Sequence, residues 1–174
     1  MNHQTREAQG AVGSDDGAMR RIALYGLGLL LASVLALTYA TTSRAKAGGP
    51  VRHTCSVTDH AFIETAKTNL AAVELWGQQY IDGDTAPGDV AAESGRAAKI
   101  VGATAPTDPS LAQTRKLLVG MFTEYREAMQ QHAKHRDAGD HIFHAYGLAN
   151  FAHNVLERAE PGLARRGCDV APLL

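Results

Sequence analysis

Apolar residues are distributed in two ways along this chain, and each predicts a different element. Between Ile22 and Ser43 there is no charge, and the core of the stretch reads IALYGLGLLLASVLALTYA. From Thr58 onward the apolar residues instead return every three or four positions, the period of a helix with one buried stripe. The first such helix spans Thr58 to about Ile81, with Phe62, Ala66, Leu70, Val73, Trp76 and Tyr80 on one face. Thr58 is its expected N-cap and Asp59 sits favourably in the first turn. Asp82-Gly83-Asp84 breaks the pattern.

A second helix is expected from about Pro87 to Ala103, where Val90, Ser94, Ala97, Ala98 and Val101 make a thin face of small residues. The third has the strongest pattern. Asp108 caps it and Pro109 starts it; Leu111, Leu118 and Tyr125 recur at sevens, with Thr114, Met121 and Ala128 between them. Continued, both series place His132 and His135 on the same seam, and the helix should stop near Gly139, a residue free to take a positive φ. The fourth takes Asp140 as N-cap and a stripe of Leu148, Phe151, Ala152, Val155 and Ala159, weakened at its end by Pro161 and Gly162. No segment reads as a strand.

Short connections make successive helices antiparallel neighbours, so the expected fold class is all-α, an up-down-up-down four-helix bundle over residues 55–174. In that topology the start of the first helix and the end of the last lie at one pole. Cys55 and Cys168, the two cysteines of the chain, fall at those places and are expected to form a disulfide.

Length decides what the uncharged stretch is. At about 1.5 Å of rise per residue, about 20 residues cross the roughly 30 Å of a bilayer's hydrocarbon. Residues 20–43 therefore read as a transmembrane anchor, with membrane contact through residues 22–43. Arg20 and Arg21 hold the preceding end in the cytoplasm and send the following domain outside. The competing reading is a signal peptide cut after the A-x-A triplet Ala45-Lys46-Ala47, which would make the protein secreted; the apolar run is longer than the roughly 7–15 residues of a signal core. Residues 1–19 are polar and read as a disordered cytoplasmic tail, and residues 44–54 as a linker. The alanine-rich composition and envelope layout suggest a bacterial protein.

Charge removes one class of partner. The 174 residues carry 17 basic and 18 acidic side chains, a formal −1, which gives no electrostatic footing for nucleic acid. Among chemistries, one cluster stands out: four of the eight histidines form two H-x-x-H pairs, His132 with His135 and His141 with His144. Residues three apart share a helix face, and the turn between helices three and four would bring the pairs together, at the pole that also holds Asp82, Asp84 and Asp89. Imidazoles with carboxylates are a donor set for zinc, copper or nickel, with Asp137 and Asp140 as ligands or as their supports. The plainer account is that histidines near a helix C-terminus are favoured by its dipole without any metal. His60 and His153 read as satisfied structural histidines, and Met121 and Met129 as core.

No H-E-x-x-H, G-x-S-x-G, P-loop, dinucleotide fingerprint or C-x-x-C-H is present, so no catalytic grouping or covalent haem is expected. The sequence thus points to a membrane-anchored, extracytoplasmic binding or interaction module, its partner another envelope protein, a membrane complex or a small ligand held between helices. Metal binding by the histidines is the alternative, and an envelope enzyme of unknown class the third reading.

Overall fold

The computed structural model describes residues 54–174; the tail, the apolar segment and nearly all of the linker lie outside the described residues. Among the described residues there are four helices, α1 (Val57–Asp82), α2 (Pro87–Gly102), α3 (Pro109–Ala133) and α4 (Gly139–Arg165), followed by a 3-10 turn over Ala171–Leu173. Among the described residues no helix is long and apolar enough to cross a membrane.

Side-chain contacts give the helix directions. Asp59, at the start of α1, accepts from Thr107 and Asp108 at the start of α3, while Tyr80 and His132 meet near the far ends of the same two helices. Those two helices are therefore parallel. Position 95 faces Arg126 and position 102 faces Val119, so α2 runs against α3. Position 120 faces Leu148, and Arg166 bonds Asp108, so α4 runs against α3 as well. The third helix is the centre: its interfaces with α2 and α4 are the most extensive, and α1 leans mainly on α2. The 3-10 turn packs on both α1 and α4.

The heptad series of α3 is buried as its spacing requires: Leu111, Thr114, Leu118, Met121, Tyr125 and Ala128 are all in the core, and Met121 and Met129 pack there as apolar side chains. Asp108 caps the helix, accepting from the N–H groups of Ser110 (2.8 Å) and Leu111 (3.3 Å). The small face of α2 buries Val90, Ala91, Ser94, Ala97 and Val101. Ser94 satisfies its hydroxyl on the Val90 carbonyl at 2.8 Å, which lets a polar residue sit fully buried.

Four expectations are corrected. The cap of α1 is Ser56, not Thr58: its extended backbone (φ −67°, ψ 155°) points the hydroxyl back to the Asp59 N–H at 3.1 Å. The third helix ends at Ala133, so His135 is off the seam; His135 itself takes the left-handed conformation (φ 55°), the role expected of Gly139. The fourth helix starts at Gly139 after Ala138, with no side-chain cap, so Asp140 lies inside it. Its buried face runs through Ala145, Ala152, Leu156 and Leu163, spaced seven, four and seven, which turns Phe151 outward (64 % exposed).

Cys55 and Cys168 are joined in a disulfide, with their Cα atoms 5.0 Å apart. It ties the start of α1 to the segment after α4.

Candidate functional site

The pole opposite the disulfide holds the histidines, and the structure distributes the four among separate settings. His132 is half-buried in the last turn of α3, its ring edge-on to Tyr80 with centroids 5.8 Å apart. His135 is exposed in the following turn. His141 and His144 lie in the first two turns of α4, on the side that faces α3.

What joins the second pair is a residue that sequence reasoning missed. Glu124 projects from α3, and its Oε2 lies 2.8 Å from His141 Nδ1 and 3.9 Å from His144 Nδ1. The three side chains are 29 %, 36 % and 63 % exposed for Glu124, His141 and His144, a site at the edge of water with the carboxylate innermost. The ring of Phe143 stands beside His144 with centroids 6.4 Å apart. No local spacing marks Glu124; the α3–α4 register, in which position 120 faces Leu148, sets it beside His141 and His144.

The aspartates expected at this pole serve the turns. Asp82 accepts from Gln78 Nε2 at 3.0 Å. Asp89 accepts from the Ala86 N–H and the Thr85 hydroxyl, which settles the start of α2. Asp137 accepts from the Gly139 N–H at 2.9 Å and shapes the entry to α4. Asp84 and Asp140 are exposed. His60 is exposed too, and His153 departs from the satisfied residue expected: its Nδ1 is buried with no hydrogen-bond partner among the described residues.

Among the described residues, one group of three His, Cys, Asp or Glu side chains places its donor atoms within 4.8 Å of one another: Cys55, Asp59 and Cys168. It does not fit a metal as it stands. Both sulfurs are bonded to each other, and the carboxylate is engaged by the loop before α3, accepting from the Thr107 N–H (2.7 Å), the Asp108 N–H (3.0 Å) and the Thr107 hydroxyl (2.9 Å). Burial works to raise this carboxyl, and hydrogen bonds from Asp108, Ser56 and Thr107 outweigh it, holding it below its ordinary 3.8. An open recess of about 400 Å³ lies here, with Asp59, Asp108 and Arg166 in its wall, and those groups are already bonded within the protein.

Comparison with protein-family models, with curated proteins and with solved structures finds no match for this chain in any of the three.

Proposed function

We propose that this protein is a membrane-tethered, extracytoplasmic helical module that works by binding another envelope protein, without catalysis. The observation that carries the reading is on α4. Phe143 (72 % exposed) and Phe151 (64 % exposed) stand two turns apart on its outer side. Between them Gly147 leaves open space, since a Cβ there would meet nothing within 4 Å. Aromatic anchors flanking a gap are the kind of surface that a partner side chain fills, and aromatics are enriched where binding energy concentrates.

The test is photo-crosslinking of the full-length chain in membranes of a cell that expresses it. A crosslinking residue at Phe151 should give a discrete adduct, and one at the exposed Gln113 of α3 should not. Phe143→Ser should abolish the adduct. No adduct at Phe151, or one that survives Phe143→Ser, ends the proposal for this face.

A second reading, metal handling outside the cytoplasm, is supported by the Glu124 carboxylate standing between two imidazoles. Equilibrium dialysis of the full-length chain against Zn²⁺ and Cu²⁺ tests it, and absence of any bound ion would end it.

A further inference from the structure

We propose that the outer face of α4 binds a second copy of this chain, α4 against α4 in antiparallel orientation. Gly147 stands at the crossing, and Phe143 of each copy packs beside the partner's Phe151. The inference rests on the binding reading above and deepens it by naming the partner.

The placement of the two rings is symmetric. Phe143 lies four residues before Gly147 and Phe151 four residues after it. On a helix of about 3.6 residues per turn, they stand about 40° to either side of the direction in which Gly147 opens, and about 12 Å apart along the axis. Both rings are largely exposed, and the glycine between them lets a second backbone come close. A face arranged in this way about one point is complementary to itself. A two-fold axis through Gly147 carries Phe143 onto the partner's Phe151, and Phe151 onto the partner's Phe143.

Charge sets the direction of the pairing. Asp140, seven residues before Gly147, and Arg158, eleven after it, lie a whole number of turns apart and so share this face. Both are exposed, and neither side chain has an ion pair or hydrogen bond among the described residues. In an antiparallel pair centred on Gly147, the acid of one copy falls about one turn, or about 6 Å along the axis, from the base of the other. A long arginine side chain spans that gap, and the symmetry forms the pair twice. Parallel pairing would set acid beside acid and base beside base, so complementarity selects the antiparallel arrangement. Four phenylalanine rings of about 150–250 Å² each, about two-thirds exposed, bring roughly 500 Å² to the centre, short of the roughly 1,200–2,000 Å² of a tight complex. The dimer is therefore weak, forming at about 10–100 μM.

The test uses the purified full-length chain in detergent, with sedimentation followed against concentration and a photo-crosslinking residue at Phe151. A reversible dimer is expected, and an adduct of two chains whose linked peptide holds the partner's Phe143. Gly147→Leu fills the gap and should abolish both, while the thermal melt stays unchanged or rises, since open space surrounds that position. Asp140→Arg turns two attractive pairs repulsive and should weaken the dimer about fivefold or more. Asp140→Arg combined with Arg158→Asp should restore it, a rescue that a loss of folding would not give. A purified chain that stays monomeric, a dimer indifferent to Gly147→Leu, or a charge swap that fails to rescue overturns the inference. An adduct at Phe151 in the membranes of an expressing cell, with a mass other than that of two chains, leaves the binding reading standing and overturns the second copy as its partner. No adduct in either setting overturns both.

Discussion

The two poles of this molecule are built on different terms. Where α1 and α3 begin, links run between elements: the disulfide from Cys55 to Cys168, three hydrogen bonds from the loop before α3 to Asp59, and the ion pair of Arg166 with Asp108. Arg115 adds two more by donating to the carbonyls of Gly102 and Thr104. At the histidine pole most polar groups look after their own turn, as Asp82, Asp89 and Asp137 do, and Glu124 with His141 reaches across from one helix to another. One pole spends its charged groups on holding the fold. The other leaves imidazoles, a carboxylate and the exposed Phe143 at the edge of water. The difference shows where the fold is held together: by links between elements at the disulfide pole, and mostly by bonds within single turns at the other.

The sharpest way to break that division is at the disulfide. It closes a loop of sequence separation 113, and direct packing between α1 and α4 is slight, so the bond and the 3-10 turn do the joining. On the chain-entropy account, replacing both cysteines by alanine should lower unfolding stability by roughly 4–5 kcal/mol, read from denaturant midpoints. A loss under about 1 kcal/mol would place the strength of that pole elsewhere. The next effect is at Asp59. Asp59→Ala strips the acceptor from two backbone N–H groups and should cost about 3 kcal/mol. Its carboxyl is held below its ordinary 3.8 in the folded protein, so the unfolded chain takes up the proton first as pH falls. That stabilisation is complete above the ordinary value and drains away as pH drops through it towards the folded value. Asp59→Asn should therefore flatten the acid limb of a stability–pH curve, and an unaltered limb would remove Asp59 as its cause.

The other half of the molecule should respond to alkali instead. Tyr125, 5 % exposed against the backbone of α1 at Gly77, has its phenol pushed up to about 12 by burial and by the neighbouring Tyr80. In the unfolded chain it would ionise near 10, so stability is complete below that value and falls as pH rises from there towards about 12. Ultraviolet titration should show a tyrosine ionising late, near about 12, and Tyr125→Phe should flatten the alkaline limb. Late ionisation that persists in Tyr125→Phe would assign it to another tyrosine.

How much of this was legible in the sequence follows from the range of the interactions. The heptads of α3, its Asp108 cap and the cysteine placement rest on local spacing and on one topological argument, and the structure has all three. The face of α4 was misjudged because Leu148, Phe151, Val155 and Ala159 are apolar enough to draw a stripe, and only packing shows that Phe151 points away from it. The cross-helix bonds of Asp59, read only as a favourable first-turn acid, and of Glu124 were missed for a different reason. Each is an ordinary acidic residue on a helix whose partner lies 48 or 17 positions away, and neither distance has a local signature. The candidate site was half visible: His141 and His144 by their spacing, Glu124 only once the α3–α4 register was known.

The smallest expected effect tests the looser pole most directly. Three helices end in the same hydrogen-bond pattern. The N–H of residue 84 reaches the carbonyl of Gln79, that of Arg136 the carbonyl of Gln131, and that of Cys168 the carbonyl of Leu163. Each such ending needs a left-handed residue just before the closing N–H. Gly83 (φ 87°) and Gly167 (φ 79°) fill the role twice, and His135 (φ 55°) fills it at the end of α3. A side chain in that conformation costs about 1–2 kcal/mol, of which the greater freedom of glycine in the unfolded chain takes back about 0.5–1. His135→Gly should therefore raise stability by about 0.5 kcal/mol, while His135→Val should lower it. A glycine variant that loses stability instead would mean that the imidazole is held by a contact rather than tolerated by a turn. The contrast between a pole that fixes the fold and a pole that offers its groups would then have to be drawn one turn further along the chain.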